Sequence, residues 1–193
     1  MKISVITVTF NSASTIETTI HSLLCQTYKN VEFIIIDGLS TDRTLDIINY
    51  YRNKIDIFIS EKDNGIYDAM NKGIGLATGD VISILNSDDM YANSSLLEVV
   101  ANAFKRNQID CLYGDLIYVN RINTNKILRY WKSREFKENL FCTGWHPPHP
   151  TFFVKNECYQ KYSSFNLDFK IAADYELMLR FLEKYLLKSF YLP

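Results

Sequence analysis

No stretch of this 193-residue chain is apolar for long enough to cross a bilayer. There is no Cys-x-x-Cys. The four cysteines, Cys25, Cys111, Cys142 and Cys158, stand far apart, which speaks against zinc and thioredoxin-type redox sites. They read as reduced, mostly buried thiols of a cytosolic protein. Neither sign of charge dominates: 21 basic residues face 22 acidic ones, so no global field argues for nucleic acid. The opening run breaks at Thr9 and Asn11 with no small-residue cleavage site after it, so it is not a signal peptide. Asn93-Ser94-Ser95 matches a glycosylation sequon, which a cytosolic chain never presents to the transferase. Internal repeats and low-complexity segments are missing. So is glycine from the first loop, Thr9-Phe10-Asn11-Ser12-Ala13. That gap disfavours a nicotinamide oxidoreductase, whose fingerprint needs glycines for close approach to a pyrophosphate.

What is present is enough apolar sequence for one domain with a real core. Residues 3–9 form a β-rich run. Ser14-Thr15-Ile16-Glu17 has the spacing of a capping box, followed by a helical stripe of Ile16, Ile20, Leu23 and Leu24. Residues 31–36 are a continuous apolar run ending at Asp37-Gly38, as in a buried parallel strand. Ser40-Thr41-Asp42 caps a second helix with Leu45, Ile48 and Tyr51 inward. Residues 55–59 read as a third strand. A helix runs from Asn64 or Gly65 to Ile74, and Gly73-x-Gly75-x-x-x-Gly79 reads as its C-cap and turn. Residues 81–85 make a fourth strand. This β-α-β-α-β-α-β rhythm implies parallel strands, right-handed crossovers and helices on both faces.

A further helix is expected over 95–106, with Leu96, Val99, Val100 and Phe104 inward. After it the rhythm changes. Residues 109–113 and 116–119 read as strands, and 127–131 as an antiparallel partner of one of them. Residues 151–154 read as a strand, 155–162 as a short helix, 173–185 as a strong helix carrying Ile171, Tyr175, Met178 and Leu182 on one face, and 189–192 as a strand-like end. The expected fold is α/β, an open mostly parallel sheet with helices on both faces and a C-terminal mixed-strand extension. Residues 1–193 are expected to be one domain, with a nucleotide-binding half (1–90) and an acceptor-side half (91–193).

The chemistry concentrates at strand ends. Asp88 and Asp89 follow the apolar fourth strand, where open α/β sheets bind ligands. Two hard oxygen ligands there suit Mg²⁺ or Mn²⁺ carrying a diphosphate. Alternatively the pair merely opens a loop. Asp37 ends the second strand, placed to accept from a ribose hydroxyl or a uracil imide; otherwise it is a turn residue. Asp68 and Lys72 form either a surface ion pair or, with Asn71, a polar face turned to the nucleotide. Asp174 is an N-cap or, on an inward stripe, a proton acceptor. His146 and His149 sit in a stiff proline loop and are ordinary loop residues or phosphate or metal contacts. Residues 126–137 interleave Arg129, Lys132 and Arg134 with Tyr130, Trp131 and Phe136, a solvated hairpin or a surface for an anionic acceptor or a membrane.

Four segments together resemble the family-2 glycosyltransferases with the GT-A fold: residues 4–11 (SVITVTFN), 34–42 (IIIDGLSTD), 60–73 (SEKDNGIYDAMNKG) and 85–89 (LNSDD). Within that family the chain is similar to bacterial enzymes of surface-polysaccharide synthesis, including colanic-acid-type transferases. The resemblance implies transfer of a sugar from a nucleoside diphosphate, UDP above all, to a saccharide or lipid-linked acceptor, with Mn²⁺ or Mg²⁺. It implies that Thr9 and Asn11 line the nucleotide site, that Asp37 reads the base and that Asp63 and Lys72 flank the nucleotide. Asp88 and Asp89 correspond to the metal-binding acidic motif. Ala172-Ala173-Asp174-Tyr175-Glu176 matches a later acidic motif whose aspartate is the general base, and His149 fits a histidine near the donor phosphates. Relatives usually continue with a Gly-Gly-containing segment and more helices beyond the point where this chain stops. A catalytically weak sugar-nucleotide-binding or partner-binding module is therefore the rival expectation. The expected location is the cytoplasm, or the inner face of the membrane.

Overall fold

Strand β1 (Ile3–Thr9) is buried at every position, and that enclosure decides the architecture. A β-branched run covered on both sides must lie mid-sheet. In the computed structural model, which describes residues 1–193, β1 pairs in parallel with β2 (Val31–Asp37) on one side and β4 (Val81–Ile84) on the other. Strand β3 (Ile57–Ser60) extends the parallel set beyond β2. Helices α1 (Ile16–Leu24), α2 (Thr44–Tyr50) and α3 (Ile66–Leu76) make the crossovers. Alternation then splits the core. Ile6, Val8, Ile34 and Ile36 meet Ala69, Met70 and Ile74 of α3, while Ile3, Val5, Phe33 and Ile35 meet Ile16, Ile20 and Ile48 of α1 and α2.

Helix α4 (Leu96–Asn107) covers the second of these faces through Leu97, Val100, Ala101 and Phe104. Val99, expected inward, is exposed, because the buried stripe is centred one residue away. The chain then departs from the parallel rhythm as expected. Strands β5 (Cys111–Gly114), β8 (Phe153–Lys155) and β9 (Ser189–Leu192) complete the order β3-β2-β1-β4-β8-β5-β9. Strand β8 is antiparallel to both β4 and β5, and β9 is parallel to β5. Strands β6 (Leu116–Val119) and β7 (Ile127–Trp131) form a separate antiparallel ribbon. Helices α5 (Asn156–Tyr162) and α6 (Ala173–Leu179) pack on the α3 side, and α6 continues as a wider π-type turn, Arg180–Lys184.

Several local expectations are corrected. The capping box does not form: Thr15 precedes α1 without a side-chain cap, and Ser14 Oγ instead accepts from the Arg121 guanidinium. Gly73 lies inside α3 rather than at its C-cap; a Cβ there would stand 2.4 Å from Ile6 Cγ2, so glycine lets helix and sheet approach. Ile171 is 86% exposed, outside the inward stripe that Met178 and Leu182 do join. Only Cys111 and Cys158 are buried; Cys25 and Cys142 are exposed. No helix is long and apolar enough to cross a membrane.

Candidate active site

The C-terminal ends of β1, β2, β3 and β4 share one edge of the sheet because those strands are parallel. β8 runs the other way, so its beginning arrives at the same edge. The short turn His149–Thr151, which leads into β8, packs against β4 and against α6. Topology thus brings residues from positions 9 to 174 to one rim.

On the β2 side, Asp37 is fully buried. Its carboxylate accepts from Ser40 Oγ at 2.5 Å, Ser40 N at 3.0 Å and Ser60 Oγ at 2.6 Å. Three of its roughly four acceptor positions are filled, leaving one. Asn11, at φ 50°, offers its Oδ1 to the Thr41 and Asp42 amides at 2.8 and 3.3 Å. Its own N–H donates to Ser40 Oγ at 2.8 Å. Thr9 is buried with its hydroxyl unpartnered. Thr9 and Asp37 therefore lie beneath the rim as its bracing, while Asn11, itself exposed, pins the 40–42 loop from the surface. The side chains on top are Phe10, 61% exposed, and Leu39, held at φ 63°. Gly38 lies under Asp63: a Cβ on it would come within 2.5 Å of Asp63 Oδ2 and 3.5 Å of Phe10 Cδ2. Asp63 Oδ1 accepts from Gly65 N at 2.9 Å, which shapes the turn into α3.

Lys72 belongs to a surface ion-pair network. Its ammonium meets Glu61 at 2.8 Å and Asp68 at 3.8 Å, and donates to Lys62 O at 2.9 Å. The Glu61 contact chiefly holds its pKa above the usual lysine value. Asn71 does not face the nucleotide edge. Its amide is bound twice by the Phe165 backbone, at 2.9 Å each way.

On the β4 side, Ser87 Oγ lies 2.9 Å from Ser12 Oγ, joining the loops after β4 and β1. Asp88 is exposed and Asp89 half-buried. Asn86 Nδ2 donates to Asp89 Oδ2 at 3.1 Å, while Asn86 Oδ1 is buried without a partner. Burial, and then the charge of Asp88, raise the Asp89 carboxyl to about 6. A cation beside the pair would relieve that strain. Two adjacent carboxylates and a spare amide oxygen are a hard-oxygen donor set that fits Mg²⁺ or Mn²⁺. No group of three or more His, Cys, Asp or Glu side chains converges, so an ion here would complete its shell from phosphate and water.

Asp174 does not cap α6. Ala172, at φ 68°, holds that position, and Asp174 sits within the first turn. It accepts from Tyr67 Oη at 2.9 Å. Burial and then this hydrogen bond hold the Tyr67 phenol above its usual pKa, so it stays a donor. Tyr67 stacks on Phe165 at 5.4 Å, and the His149 ring meets Phe165 edge-on at 5.6 Å. Burial lowers the His149 pKa, and the charge of Asp174 opposes that only in part. His146 turns elsewhere, between Trp131 and Tyr175. Sequence reasoning missed Tyr67, Phe10, Ser40 and Ser60. For Tyr67 a signal existed: it lies one turn before Asn71 on α3, the face that meets the segment carrying Asp174.

Comparison with known proteins bears on the family and the fold. A Mycobacterium bovis PGL/p-HBAD biosynthesis glycosyltransferase is 30% identical over 188 residues, covering 92% of this chain and 68% of the relative. An uncharacterized glycosyltransferase of Haemophilus influenzae is 32% identical over 138 residues, 66% of this chain and 55% of the relative. The crystal structure of Staphylococcus aureus TarS 1-349 in complex with UDP-GlcNAc superposes with a TM-score of 0.71 at 26% identity, over 86% of this chain and 49% of that one. The mannosyltransferase PcManGT of Pyrobaculum calidifontis, in complex with GDP-Man and Mn²⁺, shares the fold alone, with a TM-score of 0.75 at 16% identity over 100% of this chain and 55% of that one. The chain thus spans about half the length of these solved structures. The fold is that of GT-A glycosyltransferases such as TarS. Residues 4–158 match the family described as Glycosyl transferase family 2, four-fifths of the sequence, and the chain belongs to that family.

Proposed function

We propose that this chain moves a sugar from a UDP-sugar to a saccharide or lipid-linked acceptor with inversion at the anomeric carbon, in bacterial surface-glycan synthesis. One observation carries the reading. The acidic pair Asp88–Asp89, which follows β4, and Asp174, held by Tyr67 at the start of α3, are distant in sequence and both belong to the C-terminal edge of the parallel strands. The UDP-GlcNAc of the TarS complex supports the choice of donor. In the proposed domain division, residues 1–90 hold the nucleotide and 91–193 the acceptor.

The base would lie against Phe10 and Leu39, its imide N–H directed at Asp37, with Thr9 bracing from below and Asn11 and Asp63 alongside. Lys72 fixes the 61–65 turn beside the nucleotide. Asp88 and Asp89 would hold Mn²⁺ or Mg²⁺, which when bound neutralises charge on the departing diphosphate. His149, kept neutral by its surroundings, can donate one ring N–H to a phosphate oxygen without adding charge. Asp174 accepts the proton of the acceptor hydroxyl as that oxygen bonds to the anomeric carbon and the bond to the diphosphate breaks. Tyr67 fixes the carboxylate orientation. Leu167, Phe169 and Ile171 are exposed just before Asp174, an apolar margin that suits the lipid part of an acceptor.

The test is calorimetric titration of UDP, with GDP and NAD as controls, with and without Mn²⁺, on wild type and Asp89→Ala. Metal-dependent UDP binding lost on substitution supports the donor site. Folded wild type that ignores UDP refutes the uridine assignment, and NAD binding refutes the transferase reading. UDP binding without turnover on any acceptor would favour the rival, a nucleotide-binding module.

A further inference from the structure

The β6–β7 ribbon stands apart from the main sheet, and its charge is one-sided. Between Leu116 and Arg134 the chain has five basic residues, Arg121, Lys126, Arg129, Lys132 and Arg134, and no acidic one. The chain as a whole is balanced, so this is a local concentration. Apolar side chains are left in solvent on the same ribbon: Ile117, Ile127, Leu128 and, at the tip, Ile122, which is 96% exposed.

The ribbon is nevertheless well fastened. Asp115 at its root accepts from Tyr130 Oη at 2.6 Å and from Ser133 N and Tyr191 Oη at 2.7 Å each. Arg129 lies over the Tyr118 and Trp131 rings at 5.4 and 5.5 Å. At the tip, Asn120 Oδ1 accepts from the Ile122 and Asn123 amides at 3.0 Å each, so the turn closes on itself and leaves the Ile122 side chain out. Arg121 reaches Ser14, just after the loop that rims the candidate active site.

We propose that this ribbon docks the protein on an anionic lipid bilayer, with Ile122 and its apolar neighbours entering the headgroup boundary and the basic residues meeting lipid phosphates. Charge complementarity selects the occupant: five cations against the single carboxylate of Asp115 at the root leave a net positive face that repels a second copy of itself and attracts an acidic surface. Aliphatic tips beside Tyr and Trp rings and snorkelling basic stems suit an interface with an apolar side and a wet side. The Arg121–Ser14 contact sets the candidate active site close to that surface.

The test is cosedimentation of the 193-residue chain with vesicles of phosphatidylcholine alone or containing phosphatidylglycerol, at low and high salt. Binding is expected only to the phosphatidylglycerol vesicles and weakens with salt. Lys126→Gln and Lys132→Gln each weaken it about fivefold, and Ile122→Asp about tenfold or more. Ile122 and Lys126 make no side-chain bond and Lys132 only lies in the field of Asp115, so melting temperatures and UDP titrations of the variants stay close to wild type, and failure of the surface reads separately from failure of the donor site. Equal binding to neutral vesicles, no binding by folded wild type, variants that bind like wild type, or self-association abolished by Ile122→Asp would each overturn the proposal.

Discussion

Replacing Glu32 by Gln should cost about 3 kcal/mol at neutral pH and almost nothing at pH 2. Glu32 lies at the start of β2, on the sheet edge opposite the candidate site, and is 5% exposed. Its Oε1 accepts from Lys2 Nζ and Thr78 Oγ1 at 2.6 Å each, and its Oε2 from Ser4 Oγ at 2.5 Å and Thr78 N at 2.8 Å. Burial by itself pushes the carboxyl pKa up. The bonds from Lys2, Ser4 and Thr78 outweigh it and bring the value from the usual 4.5 to about 2. That difference of roughly 2.5 units corresponds to about 3 kcal/mol. The sign follows from proton counts. Between about 4.5 and 2 the unfolded chain binds the proton and the native chain does not, so stability is lost as the pH drops through that window. Above it the contribution is complete. Urea unfolding of wild type and Glu32→Gln from pH 7 down to pH 2 checks this. The wild-type midpoint should drop towards that of the variant as the pH falls, with unchanged UDP affinity at pH 7. Curves that stay parallel across the range would refute the ionic account of Glu32.

Asp174→Asn should lower the transfer rate about 10²–10⁴-fold with donor affinity intact. Tyr67→Phe, which keeps the ring and removes only the donor to Asp174, should lower it about tenfold in kcat, measured as released UDP. Gly38→Ala places a Cβ 2.5 Å from Asp63 Oδ2. A carboxylate tip can move, so stability should change by less than about 1 kcal/mol while UDP affinity falls about tenfold by calorimetry. Asn71→Ala removes both bonds to the Phe165 backbone. It should cost about 1–3 kcal/mol in thermal unfolding and speed proteolysis between Tyr162 and Ala173.

The first ninety residues were legible because each strand announces itself by local composition. An uninterrupted run such as 31–36 fits only a strand covered on both faces, and β2 is one. Helix faces were harder to place. Val99 and Leu97 are equally good apolar candidates in the 96–107 stretch, and only the position of the sheet buries Leu97 and exposes Val99. The Ser-x-x-Glu pattern at Ser14–Glu17 failed for a related reason. A distant residue, Arg121, takes the serine hydroxyl, and the backbone of Ser12 receives the first amides of the helix instead.

The site follows the same division between local and distant causes. Asp88 and Asp89 were visible because the end of one strand is a property of that strand. The support of Asp37 was invisible: Ser60 lies 23 residues away and reaches the carboxylate only because β3 pairs with β2, with Asp37 opposite Ser60 in register. Asp174 is the extreme case. In the sequence it is an acid at the start of a helix, and that pattern favours a cap. Ala172 takes the left-handed turn before the helix, which makes Asp174 its second residue and takes it away from capping geometry. A residue 107 positions earlier, Tyr67, then supplies its hydrogen bond. A hydrogen-bond donor fixed on a carboxylate that has no capping work to do leaves the second carboxylate oxygen for another partner. In the proposed reaction that partner is the acceptor hydroxyl, whose proton the carboxylate takes.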